Sequence, residues 1–326
     1  MKARRLMGSV AMMLSGWVAG CSSVGQGEVS APPSPSSGFA QTLARARRDP
    51  ALRRQVVVEA EGRMAEGITG LLLFGDGVGV LNGKRQFEVS DDVLVAVLEL
   101  LISRDVASWP EESPLPGNAM EIHLRLLVRI GEASHQVIER NKRPPRPPLQ
   151  GLLRDLAELV RPAAATGVEA SSLEEGLRLV AQGTLAPHLL TVNALAPSLP
   201  GAAATSGDGW QLSLHRGVLQ VSAYSFTGGV RPISRRAALG EVAGLAQLLL
   251  DSQAASLPRQ IHLEEGLFQL HLEVLDQRLT VQARPLTGKG AMQGLAGRET
   301  LLAVRRQLRA RFEEEAQAGQ GSSVSR

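Results

Sequence analysis

Two stretches of this chain nearly repeat one another. LLISRDVASWP at 100–110 is matched by LLLDSQAASLP at 248–258, and Ile122-His123-Leu124 is matched by Leu270-His271-Leu272. A run that recurs with its helical spacing intact points to one supersecondary unit used twice. The interval from Ser90 to Ser108 is four residues shorter than that from Ser234 to Ser256. Four residues are about one helical turn, so the apolar face keeps its phase in both copies. The chain has 326 residues, enough for two domains with cores of their own.

The pattern around these anchors gives the elements. Asp49-Pro50 reads as a helix start, Asp as N-cap and Pro at the first helical position. Leu52, Val56, Ala60 and Met64 then recur at four-residue spacing, which predicts a helix to Gly67. Ile68–Phe74 and Val78–Leu81 flank Gly75-Asp76-Gly77, a hairpin signal, because an Asp-Gly pair accepts positive φ at both residues. A short strand through Gln86–Val89 leads to Ser90, which caps a helix with an acidic first turn. Residues 122–130 alternate apolar with polar, with Leu127 the exception, and predict a half-buried strand. A return strand follows through Val137 and Ile138, then a helix from Leu149 to Val160.

The same order returns through Trp210–Leu214, Leu219–Ala223, a helix after Ser234, and strands at 270–274 and 279–283. The Gly217 and Asp276-Gln277 turns join these strands. A long helix from Arg298 to Glu315 closes the chain. The expected fold is α+β: two tandem related units, each an antiparallel sheet packed against helices, with one sheet face solvated. The first unit is placed at 39–162 and the second at 210–316. Residues 163–209 are read as a linker with a short helix, Ser172–Gln182, and 317–326 as a disordered tail. This element order is similar to that of the type III secretion chaperone and its relatives, a likeness of order without a shared motif.

The N-terminus carries an address. Met1–Arg5 is basic and Leu6–Ala19 is apolar, the layout of a secretory signal peptide. It ends in Val18-Ala19-Gly20-Cys21, and Cys21 is the only cysteine, which excludes a disulfide framework. These residues resemble the lipobox of a bacterial lipoprotein precursor. The resemblance implies cleavage after Gly20, a diacylglyceryl group on the Cys21 thiol and an acyl chain such as palmitate on the freed amine. Such chains anchor a protein stably, since each buried CH₂ contributes about 0.8 kcal/mol. Ser22 resembles the class sorted to the outer membrane, facing the periplasm. Residues 21–38 are rich in Ser, Pro and Gly and read as a tether, with a reach on the order of 50 Å.

Charge adds an exclusion. Lys2, Arg4 and Arg5 are the only charged residues of the first 20, and without them the 35 basic residues become equal in number to the 32 acidic ones. A charge-balanced mature chain gives no reason to expect a nucleic-acid partner. Scarce aromatics (Trp109, Trp210, Tyr224 and six Phe in the mature part) argue against stacking platforms for sugars or single strands.

Candidate chemistry is thin. The chain has no CxxC, HExxH, GxSxG or P-loop. Gly75-Asp76-Gly77-Val78-Gly79 lies between strands, whereas a phosphate cradle opens a helix. His262 and Glu264 share a strand face and, with a third ligand, would make a metal site. The alternative is the wet face of a strand, and that is preferred. His271 and Glu273 are read as lying on opposite faces. Arg140–Pro148 (RNKRPPRPP) is read as a stiff connector in preference to a partner contact. In the last helix Leu301, Val304, Leu308 and Phe312 form the packed stripe. The reading that follows is a non-enzymatic adaptor or scaffold, without cofactor, metal or catalytic residue, that binds another envelope protein. The alternatives are a carrier of lipid or other apolar ligands and an enzyme whose catalytic residues are scattered, His262 and Glu264 among them.

Overall fold

The computed structural model describes residues 35–110, 122–140, 147–196, 209–225, 228–229, 232–263, 267–285 and 297–321. Outside them lie the lipobox Val18–Cys21, the tether to residue 34, residues 141–146 of the Arg/Pro run, Glu264, and residues 322–326 of the tail. Helix α1 (Pro35–Arg48) and a single turn, α2 (Pro50–Arg53), lead into β1 (Val56–Ala65), β2 (Ile68–Phe74), β3 (Val78–Leu81) and β4 (Arg85–Glu88). Then come α3 (Asp91–Ser103), β5 (Ile122–Ile130), β6 (Ala133–Arg140), α4 (Pro147–Ala164) and β7 (Val168–Glu169). The second half runs α5 (Leu173–Ala181), β8 (Leu190–Ala196), β9 (Gly209–His215), β10 (Val218–Ser225), β11 (Gly228–Gly229) and β12 (Ile233–Arg236). It ends with α6 (Leu239–Asp251), β13 (Gln260–Leu263), β14 (Phe268–Val274), β15 (Gln277–Pro285) and α7 (Arg298–Gly321).

The first sheet has the order β6-β5-β1-β2-β3-β4-β7. The second has the order β11-β10-β9-β8-β14-β15-β13, with β12 also paired to β10. Reading β15-β14-β8-β9-β10-β12 against β6-β5-β1-β2-β3-β4 gives the same order twice. All described pairings are antiparallel except β13 with β15. The fold is therefore α+β with two similar sheet units. The correspondence extends to side chains. The buried face of α3 is Leu94, Val97, Leu98 and Leu101. One constant offset carries each onto the buried face of α6: Val242, Leu245, Ala246 and Leu249. Both helices have 13 residues, and both are followed by a residue at positive φ, Asp105 and Gln253, and a 3₁₀ turn.

Four expectations are corrected. Residues 56–65 are strand β1, not the continuation of a helix. A spacing of four is even, so Val56, Ala60 and Met64 share a strand face as readily as a helix face. Val56, Val58, Ala60 and Met64 are all buried, and three consecutive β-branched valines favour the strand. The helix expected after Ser234 is α6, but Ser234 does not adjoin it; Ser234 lies in β12, and Ala238 is the N-cap of α6. Ala238 has no side-chain oxygen, so Glu241 reaches back to accept from its backbone N–H at 2.7 Å. With Ala238 opposite Ser90, the four-residue discrepancy disappears. Residues 163–209 are not a plain linker. The expected short helix is α5, with Ser172 as its N-cap. β7 pairs with β4, and β8 is an interior strand between β9 and β14. The second unit thus begins at α5, the counterpart of α1. At the ends, α1 reaches into the expected tether at Pro35, and α7 takes the first residues of the expected tail, to Gly321.

The hairpins show how turns fix register. Between β2 and β3 only Gly77 takes positive φ, not Asp76 as well, and the loop has three residues. The counterpart between β9 and β10 has both Arg216 and Gly217 at positive φ, a tight two-residue turn. The β14–β15 turn is Leu275-Asp276, with Leu275 at φ 57.

Each unit has its own core, but they are not separate. Val80 of β3 belongs to the core of the second unit, and Leu72 packs against it. Gln86, buried on β4, accepts from the Ala186 N–H at 2.6 Å and donates to the Thr184 carbonyl. The outer face of β3 and β4 is thus covered by the lead-in to β8, where one solvated face was expected. The second sheet keeps polar outer positions, including Asn193, Ser213, His215 and Thr280. α7 docks through Leu301, Val304 and Leu308, all fully buried, and through Phe312 stacked on Trp210 at 5.8 Å. No helix among the described residues is long and apolar enough to cross a membrane.

An ion-pair cluster pins the end of α7. Arg235 contacts Glu241 at 2.8 Å and buried Glu315 at 2.6 Å, and Arg311 meets both carboxylates at 3.1 Å. The Arg235 hydrogen bonds first, and the Ala238 N–H second, hold the Glu241 carboxyl down at about 2, from an ordinary 4.5. A depressed carboxyl contributes stability that is complete above the unfolded value and is lost as pH falls through the folded one. Between about pH 4.5 and 2, the docking of α7 is expected to weaken. Trp210 fluorescence in a Trp109→Phe background reads this directly. Glu241→Gln should already show the weakened state at neutral pH and respond less to acid. Identical acid titrations of the two proteins would refute the link.

Candidate functional site

Matching ends of the two units face each other. The first contributes the lead-in to β1 and the β2–β3 and β5–β6 turns. The second contributes the lead-in to β8, the β9–β10 turn and the start of α6. Between them lies a cleft of about 400 Å³.

Two of its lining arginines, Arg129 and Arg216, belong to a charge clamp. Glu59 points outward from β1 and is 13% exposed. It accepts from Arg216 Nη2 of the second unit at 2.6 Å, while Arg125 and Arg129 of β5 stand at 3.8 Å. A carboxylate so enclosed needs its guanidinium partner. Arg216 reaches it because the positive-φ turn before Gly217 projects the side chain across the unit boundary.

The walls are mixed. Arg54 and Arg236, one from each unit, line the cleft without an ion-pair partner among the described residues. Val57, Phe74, Val218 and Leu239 supply apolar surface. Val218 is 38% and Leu239 73% exposed, a large apolar exposure for the first residue of a helix. His188 sits at the base. Its ring meets the edge of Phe74 at 4.2 Å, and Nδ1 lies 3.7 Å from Asp76 Oδ2, too long for a hydrogen bond. Burial pushes the His188 pKa below its ordinary value; Asp76 opposes this and Arg216 adds to it. Its buried Nε2 has no hydrogen-bond partner among the described residues. His215 on β9 is also lowered, by burial first and Arg216 second. Guanidinium forks beside apolar walls are suited to holding an anion that carries an apolar group.

The sequence-predicted residues lie elsewhere. Cys21 and Gly20 are outside the described residues. His262 is on β13, half-buried, with Nδ1 unpaired, and its proposed companion Glu264 is outside the described residues. Among the described residues no three His, Cys, Asp or Glu side chains gather closely enough to hold a metal ion. His271 and Glu273 share a face of β14 and meet at 3.3 Å, correcting their assignment to opposite faces; residues two apart on a strand must do so. Sequence reasoning missed Arg54, Glu59, His188, Arg216 and Arg236. The one available signal was Arg216-Gly217, a long charged side chain in a two-residue turn.

No family model matches the chain, and no curated protein matches it. Among solved structures it is matched to the DNA polymerase III beta chain of Streptococcus pneumoniae TIGR4, at 8% identity and a TM-score of 0.12. That match covers 78% of this chain and 64% of the polymerase chain, less than two thirds of it. A likeness at that level carries no argument.

Proposed function

We propose that this chain is a lipid-anchored protein of the bacterial envelope that acts as a non-enzymatic adaptor. In this reading Cys21 carries the lipid after cleavage at Gly20. The tether holds the two-unit body off the outer membrane on the periplasmic side. The cleft between the units receives a segment of another envelope protein. The observation that carries the reading is the cleft: both units build it, and it leaves Leu239 and Val218 exposed beside two guanidiniums that have no ion-pair partner among the described residues. Exposed apolar surface rimmed by polar groups marks interaction sites, and arginine is enriched among the residues that anchor protein interfaces.

The packing favours an adaptor over a carrier. A carrier needs an apolar cavity between sheet and helices. Those faces are filled here: Leu98, Leu152 and Leu156 are buried in the first unit, and Leu249, Leu270 and Leu308 in the second.

A photo-crosslinking residue in place of Leu239, in the full-length protein in living cells, tests the reading. A discrete protein adduct is expected there, and none when the residue replaces exposed Gln247, about two turns further along α6. An adduct with lipid alone, or no adduct, would sink the adaptor reading.

A further inference from the structure

We infer that the cleft between the units selects an acidic segment of its protein partner, a carboxylate next to an apolar side chain; this rests on the adaptor reading above. The argument is charge complementarity. Arg54, Arg129, Arg216 and Arg236 line the cleft, against one lining carboxylate, Asp76. Glu59 beneath them is already engaged by Arg216. The local excess is not a by-product of a basic protein, because beyond the first 20 residues basic and acidic side chains are equal in number. Arg54 and Arg236 come from different units and face the same space. Guanidinium stays charged at any pH the envelope meets and takes a carboxylate through two parallel hydrogen bonds. Burial also works against a charge on His188, so the cationic character of the cleft comes from its arginines. Phe74, Val218 and Leu239 then receive the neighbouring apolar side chain.

The shape favours a protein segment over a lipid surface. The cationic groups line a recess of about 400 Å³ instead of crowning a protrusion. A bilayer is met by projecting side chains, whereas a recess admits a chain segment.

The test uses the full-length lipidated protein in detergent and two fluorescent heptapeptides, Glu-Leu-Glu-Leu-Glu-Leu-Glu and Lys-Leu-Lys-Leu-Lys-Leu-Lys. Fluorescence anisotropy should show the acidic peptide binding about tenfold more tightly at low ionic strength. The preference should shrink as salt screens it. Arg54→Glu with Arg236→Glu should abolish it, while Arg104→Glu with Arg178→Glu, far from the cleft, should not. Both Arg54 and Arg236 are exposed, so the pair folds, and an unchanged thermal melt confirms that. Equal binding of the two peptides, or a preference that survives the double reversal, overturns the inference. So does Arg54- and Arg236-dependent binding of phosphatidylglycerol vesicles without binding of the acidic peptide. The Leu239 crosslink separates the two readings. A protein adduct without acidic preference leaves the adaptor and removes this inference. Acidic preference without any protein adduct keeps the cleft chemistry and removes the adaptor.

Discussion

Gly75→Ala is expected to destabilise the protein by roughly 3 kcal/mol or more. Gly75 N–H donates to the Val56 carbonyl at 2.8 Å, which docks the β2–β3 turn onto the lead-in to β1. A Cβ at this position would overlap the Arg53 carbonyl oxygen and stand 2.8 Å from the Arg54 carbonyl carbon. Both are backbone atoms, so no side chain can swing away; one of the two segments must move. Either movement carries Arg54 or Phe74, and acidic-peptide binding should weaken as well. Gly151→Ala in α4 is the control. Nothing lies within 4 Å of its added Cβ, and Gly to Ala inside a helix stabilises by about 0.5–1 kcal/mol. Urea denaturation should therefore move in opposite directions for the same chemical change. A Gly75→Ala midpoint equal to wild type would remove the close-approach argument.

The second large effect is expected at Glu59. Glu59→Ala removes the carboxylate on which Arg125, Arg129 and Arg216 converge. Three guanidiniums are left facing one another, and Arg216 loses its hydrogen bond across the units. The expected loss is about 2–3 kcal/mol, below the value for a fully buried pair because Arg216 retains some access to water. Arg216→Ala should recover part of it. In a double-mutant cycle the pair should cost clearly less than the two single changes added together. Additive losses would mean that Glu59 does not link the units.

Much of the fold was legible because local rules and tertiary structure agree. Ser90 caps α3 as its position before Asp91-Asp92 implies. Residues 124, 126, 128 and 130 of β5 are all buried, as their alternation requires. The repeated anchors mark a true correspondence, for the buried positions of α3 and α6 match one for one. The failures are equally physical. Val56, Ala60 and Met64 are spaced by an even number, which both periods accept, and only the pairing of β1 with β2 and β5 decides between them. β8 has a clean alternation of Leu190, Val192, Ala194 and Ala196, but small residues beside prolines make it look like coil.

The site was less legible than the fold. Its members, from Arg54 to Arg236, share no motif and no spacing. They meet because two similar units place matching turns against each other. Local sequence determined most of the elements and the caps Asp49, Ser90 and Ser172, since these depend on period and side-chain oxygens within a few positions. It also determined that one unit is used twice. The tertiary structure alone decided that β8 lies between β9 and β14, that Val80 joins the other unit's core, and that Glu59 meets Arg216. Those outcomes follow from burying apolar area between segments far apart in the chain, which no local pattern encodes.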